Sequence, residues 1–254
     1  MLRGRNLSSA LLFLGRIAAL LLLSSPASGQ VNVLTNRYDG ARTGANLSET
    51  VLTVANVNPS QFGKLYTYPV DGSVYAQPLY VSGVVVNGTP RNVLYVATMN
   101  DKVYAFDADS ASPTPLWMRD FTNPPAVTPV PIADIVAPNL NIVGNIGIQS
   151  TPVIDAASRT IYLVARTKEN GSYFQRLHAL DIATGASRPG SPVTITGSVI
   201  GSAPDSIGQV VTFDPKMQAQ RAGLAISNGV VLIAWAGHED AVPYHGWIMG
   251  YDTA

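Results

Sequence analysis

The chain has 254 residues, 46% of them hydrophobic and 13% charged, with 22 Gly, 18 Pro and no Cys. That apolar content excludes a disordered chain, and the missing Cys excludes a disulfide scaffold, a thiolate zinc site, a haem-attachment motif and a Cys nucleophile. Sixteen Lys and Arg balance sixteen Asp and Glu, so no basic excess points to nucleic acid.

Residues 1–29 read as a secretory signal peptide. Arg3 and Arg5 precede the apolar stretches 10–14 and 17–23, and Ala27-Ser28-Gly29 supplies small residues before Gln30. The alternative is an uncleaved membrane anchor, but Arg16 interrupts the run and leaves it too short to span. Cleavage after Gly29 leaves thirteen basic and sixteen acidic residues. No later segment is long and apolar enough for a span, so the protein is expected to be exported, to the periplasm, cell surface or medium, without a transmembrane anchor.

From residue 77 one unit is written three times. The first copy contains Gln77-Pro78-Leu79-Tyr80-Val81, Val93-Leu94-Tyr95-Val96-Ala97 and Val103-Tyr104-Ala105-Phe106-Asp107. The second has Thr151-Pro152-Val153-Ile154-Asp155, then 160–165, then Leu177-His178-Ala179-Leu180-Asp181. The third has 222–226, 230–234 and Ile248-Met249-Gly250-Tyr251-Asp252. The closing Asp residues recur at spacings of 74 and 71. Each copy predicts three strands, A, B and C, with a fourth at 116–121 in the first copy. Strand B is a near-continuous apolar run, as in a strand buried on both faces. Ser227-Asn228-Gly229 predicts a tight hairpin, and Asp181 to Gly185 an Asx-type turn.

Four-stranded antiparallel units repeated along a chain make β-propeller blades. The fold predicted is all-β: a partial propeller of about three blades, with a lead-in at 30–61 and the blades at 62–254. A β-sandwich, the alternative, does not explain the recurring strand order and Asp. The chain stops inside the turn that Asp181 to Gly185 completes, so a propeller truncated at its C-terminus is expected. Leu65 to Val70 is the expected outer strand of a final blade.

Tyr104-Ala105-Phe106-Asp107 followed by Trp117, and His178-Ala179-Leu180-Asp181 with Gly185, resemble the pyrroloquinoline-quinone (PQQ) repeat. Arg42-Thr43-Gly44-Ala45-Asn46, Leu52-Thr53, Asn56-Val57 and Phe62-Gly63-Lys64-Leu65 resemble the lead-in of quinoprotein-like propellers. The segment 71–79 and Tyr244-His245-Gly246-Trp247 resemble an exported bacterial branch of the quinoprotein alcohol dehydrogenase-like superfamily, known by its repeat alone. The resemblance covers residues 36–254 and implies the propeller fold. Its enzymes use PQQ with calcium, covered by a vicinal Cys-Cys disulfide, and this chain has no Cys. Their Glu, Asn and Asp calcium ligands and catalytic Asp match no position here, so no catalytic residue is carried over.

In such blades the B–C and D–A connections share one face. Here that face carries Asn100-Asp101-Lys102, Lys168 to Gly171, Gly237 to His245, and the long connections 122–149 and 195–220. Loops on a rigid scaffold make the default binding surface. His238, Glu239, Asp240 and His245 are candidate metal or acid/base residues, because imidazole with carboxylate is the usual ligand and proton-transfer pairing. A solvated loop is the alternative, since their spacing matches no zinc signature. Trp235 ends a B strand where its ring is a candidate platform for a planar ligand, such as a cofactor. His178, Trp117 and Trp247 read as packing residues, Trp117 docking on the neighbouring blade.

Two functions are compatible with this reading: a non-catalytic scaffold binding a protein or polysaccharide through the loop-rich face, or the N-terminal part of a PQQ- and calcium-dependent dehydrogenase. The first is preferred because function must be argued from a site, and no ligand set is recognisable. Apolar sheet faces at both ends of an open arc exceed what a soluble monomer normally shows. The 30–254 polypeptide is therefore expected to self-associate in sedimentation velocity; a monodisperse monomer with a cooperative thermal melt contradicts this.

Overall fold

The computed structural model describes residues 31–135, 142–238 and 245–253, so the proposed signal peptide lies outside the described residues. The strands are β1 (Leu79–Val86), β2 (Thr89–Ala97), β3 (Lys102–Asp107), β4 (Trp117–Asp120), β5 (Val127–Pro131), β6 (Asn145–Ile146), β7 (Val153–Asp155) and β8 (Thr160–Glu169). They continue as β9 (Ser172–Asp181), β10 (Val193–Thr194), β11 (Ser198–Ile200), β12 (Val210–Thr212), β13 (Gln218–Ala219), β14 (Ala225–Ser227), β15 (Val230–Gly237) and β16 (Trp247–Asp252).

Three antiparallel sheets follow the three copies of the repeat. The first has order β1-β2-β3-β4. The second runs β7-β8-β9-β10, and β5 pairs with the far half of β8. The third is β14-β15-β16, with β13 on the far end of β15. Asn87-Gly88, Asn170-Gly171 and Asn228-Gly229 join their strands through two consecutive residues of positive φ. This is the hairpin geometry whose twist matches the strands and which Asn-Gly tolerates best.

β8 explains how the sheets stack. Ile161, Leu163 and Ala165 join one buried layer with Leu79, Val93, Tyr95 and Ala105 of the first sheet. The alternate residues Tyr162 and Val164 join a second layer with Val231, Ile233 and Trp235 of the third sheet. A strand buried on both sides needs apolar side chains at consecutive positions, and 161–165 has them. The chain is a partial β-propeller in this sense: successive four-stranded units packed face to face in chain order.

The first interface is closed by a clasp. The Trp117 indole N–H donates to the Ile182 carbonyl at 3.0 Å, and the Tyr95 hydroxyl donates to the same oxygen at 2.9 Å. The ring lies on Gly185, where an added Cβ would stand 2.6 Å from Trp117 Cε3. Asp181 holds that turn, its Oδ1 accepting from the backbone N–H groups of Ala183 and Thr184.

The inner edges are tied by the lead-in. Val33 bridges Tyr80 of β1, the Leu34 carbonyl accepts from Ile154 of β7 at 2.8 Å, and Thr35 donates to the Leu224 carbonyl. Arg42 then donates to the carbonyls of Asn36, Gly223 and Leu224. One segment thus reaches β1, β7 and the residues just before β14, one in each repeat copy.

Three expectations are corrected. Residues 65–70 form no strand: Tyr68 lies flat on Phe106, ring centroids 4.7 Å apart, with its hydroxyl 2.9 Å from the Asp107 carbonyl. Pro69 has no N–H for a ladder, and the segment covers a sheet face rather than a sheet edge. Lys168 and Glu169 belong to β8 rather than to a loop, because the Asn-Gly turn lets the hairpin run further. The connection 122–149 is partly ordered as β5 and β6, which use the free edge of that extension.

Gly185→Val adds a left-handed strain to a collision with Trp117. It is expected to cost about 3 kcal/mol in denaturant unfolding; a variant as stable as the parent contradicts the clasp.

Candidate functional site

On the loop-rich face, the turn of the first sheet, the start of β7 and the far ends of β8 and β15 bring buried polar groups together. Asp101 follows β2 in a tight turn and is fully buried. Its Oδ1 accepts from the Arg166 backbone N–H at 3.1 Å, while Oδ2 has no partner. Burial pushes the carboxyl well above the usual range, against the opposing pull of that hydrogen bond and of the Arg166 charge. The Arg166 side chain is buried too. One terminal nitrogen donates to the Lys216 carbonyl, while Nε and the other terminal nitrogen are unpartnered. Burial lowers its pKa to about 10, so it stays cationic at neutral pH.

A cavity of about 620 Å³ opens beside β13 and the far end of β15, lined among others by Gln149, Arg221, Trp235 and His238. His238 is 1% exposed, and neither ring nitrogen has a partner. Burial first, then the nearby Arg166 charge, lowers its pKa to about 4, so the ring is neutral. It presents one donor and one acceptor. The Gln149 side-chain oxygen is likewise buried and unpaired. Such groups cost roughly 1–3 kcal/mol each when left unsatisfied, so they mark a place where a polar partner is gained rather than lost.

Trp235 shares this cavity but is held firmly. Its indole N–H donates to Gln175 Oε1 at 2.8 Å, and Phe213 meets its ring edge-on at 5.2 Å. Gln175 is anchored by the carbonyls of Pro215 and Gln218. The indole is 5% exposed, so it offers a ligand a rim rather than an open face.

His245 stands elsewhere. It lines a separate cavity with Val199, Val211, Trp247 and Ile248, its Nε2 3.6 Å from Asp205 Oδ2. That distance is a charge contact only when the ring is protonated, not a hydrogen bond. The structure brings Trp235 and His238 together and puts His245 in a different place; Glu239 and Asp240 lie outside the described residues. Among the described residues no three His, Asp or Glu side chains converge as a metal set.

Sequence reasoning missed Gln149, Arg166 and Arg221. A signal existed for the first: Gln149 and Gln220 stand two residues before the matching repeat segments 151–155 and 222–226, and both carry buried unpaired oxygens. A further cavity, about 580 Å³, lies between β9 and β16. Its Arg188 is spent on Thr160, two carbonyls and Asp181, leaving less to offer a ligand.

No protein-family model matches the chain, and no curated protein matches it. A solved structure that it resembles is a quinohemoprotein alcohol dehydrogenase, ADHIIG, from Pseudomonas putida HK5, at 10% identity and a TM-score of 0.35. The match covers 70% of this chain and 38% of that one. So distant a likeness says nothing of chemistry.

The buried imidazoles fix a pH response. His238 falls to about 4 and His178 to about 3, both from 6.5. Below that ordinary value the unfolded chain takes up protons that the folded chain refuses. The stability present above pH 6.5 is therefore lost as pH falls through these values. His238→Gln is expected to lose less stability than the parent between pH 6.5 and 4 in denaturant titrations; equal losses contradict the burial of a neutral ring.

Proposed function

We propose that the protein is an exported binding module whose loop-rich face takes a polysaccharide or protein segment into the cavity of His238. One observation carries this reading: two side chains more than nine-tenths buried, His238 and Gln149, line a cavity of about 620 Å³ and carry polar atoms without a partner among the described residues. Hydroxyl and peptide groups both donate and accept, which suits a neutral imidazole beside a carboxamide. Arg221, exposed at the mouth, adds a positive rim. The apolar remainder of the wall, including Ala219, Ala222 and Ala236, excludes water around those contacts. No helix among the described residues is long and apolar enough to cross a membrane.

The second reading, part of a PQQ- and calcium-dependent dehydrogenase, rests on the repeat motif of Tyr104 to Asp107 and Trp117. Among the described residues no group of three His, Cys, Asp or Glu side chains identifies where its metal would be held. No chemical step is derived through that cofactor. The clasp at Trp117 and Gly185 accounts for the motif as a packing device.

Titration with soluble polysaccharides and extended peptides, followed by indole fluorescence and the His238 ring resonances, is expected to give a saturable change. A double variant, His238→Gln with Gln149→Ala, is expected to weaken it roughly tenfold or more, the scale of one or two buried hydrogen bonds. No saturable change with any member of the panel contradicts the proposal. A quinone absorbance shift on adding PQQ with calcium supports the second reading instead.

A further inference from the structure

Between the first and second sheets lies a fourth cavity, of about 340 Å³, whose chemistry differs from that of the His238 cavity. β4 sends Arg119 into it from one side, and the C strand of the second sheet sends Arg176 and His178 from the other. Arg176 and His178 are two apart on one strand and therefore share a face. Their cross-strand partners Ala165 and Leu163 belong to the layer packed on the first sheet.

The charges there do not cancel group by group. Arg176 is paired with Glu169 through both carboxylate oxygens and also reaches Thr167. Asp120 faces Lys102 at 3.4 Å. Arg119 has neither an ion pair nor a hydrogen bond among the described residues, and its Nε is a buried donor without an acceptor. His178 is 7% exposed, rests on Phe121 at a ring-centroid distance of 4.1 Å, and has no hydrogen-bond partner among the described residues. An unpaired guanidinium and an unpartnered, nine-tenths buried imidazole thus open into one cavity. The remaining wall has an apolar side made by Phe121, Val127 and Pro192.

We propose that this inter-sheet cavity is a binding site for a small organic carboxylate, its oxygens between Arg119 and His178 and its carbon body against Phe121, Val127 and Pro192. A guanidinium fork suits a carboxylate bidentately, and a neutral imidazole turned to its donor tautomer supplies a third hydrogen bond. The cavity is too large for a bare ion yet holds a ligand of several carbon atoms, which is why the apolar wall matters. Burial first, then the neighbouring cations Arg176 and Arg119, holds His178 neutral. An anion placed among them reverses that effect and raises the affinity of the ring for a proton. The site stands apart from the His238 cavity, so either can fail without the other.

The test uses acetate, benzoate and glucuronate as probes, with inorganic sulfate for comparison, followed through the His178 ring resonances and their titration. The carboxylates are expected to move those resonances saturably and to raise the His178 pKa, benzoate and glucuronate binding more tightly than acetate. R119Q is expected to weaken binding roughly tenfold or more, the scale of one charge-assisted contact. R119K, which keeps the charge but not the fork, is expected to fall between. An unchanged melt for R119Q separates loss of the site from loss of the fold. Sulfate binding as well as the carboxylates, shifts that survive R119Q, or no saturable shift with any carboxylate would each overturn the assignment.

Discussion

The structure depends on one strand being buried on both sides. β8 carries apolar side chains at consecutive positions, and each must leave water. A single sheet can hide only one face, so the second sheet requires a neighbour on either side. The first and third sheets are those neighbours, and they come from the copies of the repeat immediately before and after it in the chain. Radial order therefore follows chain order. The Trp117 clasp sets the register of the first contact, because indole and phenol converge on one carbonyl of the next sheet.

Stacking sheets this way leaves polar groups stranded at one rim. Where β8 and β15 run past their neighbours, the layers change from Ile, Leu and Val to Asp101, Arg166, Gln149 and His238. Backbone groups there are mostly paired, yet several side-chain atoms are not. A core this apolar could have continued to its end with aliphatic residues at lower cost. Each polar atom kept buried here costs stability that the apolar layers must offset. The opposite end of the stack differs: Arg188 is there almost fully satisfied by Thr160 and nearby carbonyls.

Much of the fold was legible because the repeat exposes it. The B and C strands of each copy, the Asn228-Gly229 hairpin and the Asp181 turn follow from local chemistry, and all three sit where the residues indicate. The docking of Trp117 was legible too, since a Trp beyond the first blade's C strand has the next blade to meet. What escaped was whatever depends on distant partners. Tyr68 finds Phe106 through tertiary packing, and no periodicity within 65–70 distinguishes that from a strand. The site was less legible still. Clustering in sequence joined His238 to His245, whereas space joins His238 to Gln149, far away in the chain. Arg119 and His178 come from different sheets, so neither announces the other.

Radial stacking is tested most directly by a double-mutant cycle across the first interface, Tyr95→Phe with Trp117→Phe, read as unfolding free energy. Both donors reach the Ile182 oxygen, at 2.9 and 3.0 Å. Losing one leaves that buried carbonyl satisfied by the other, whereas losing both strands it. The account predicts that the double variant is destabilised by about 0.5 kcal/mol or more beyond the sum of the single changes. Strict additivity would mean that the two side chains do not share the next sheet's carbonyl, and that the sheets are not stacked as described.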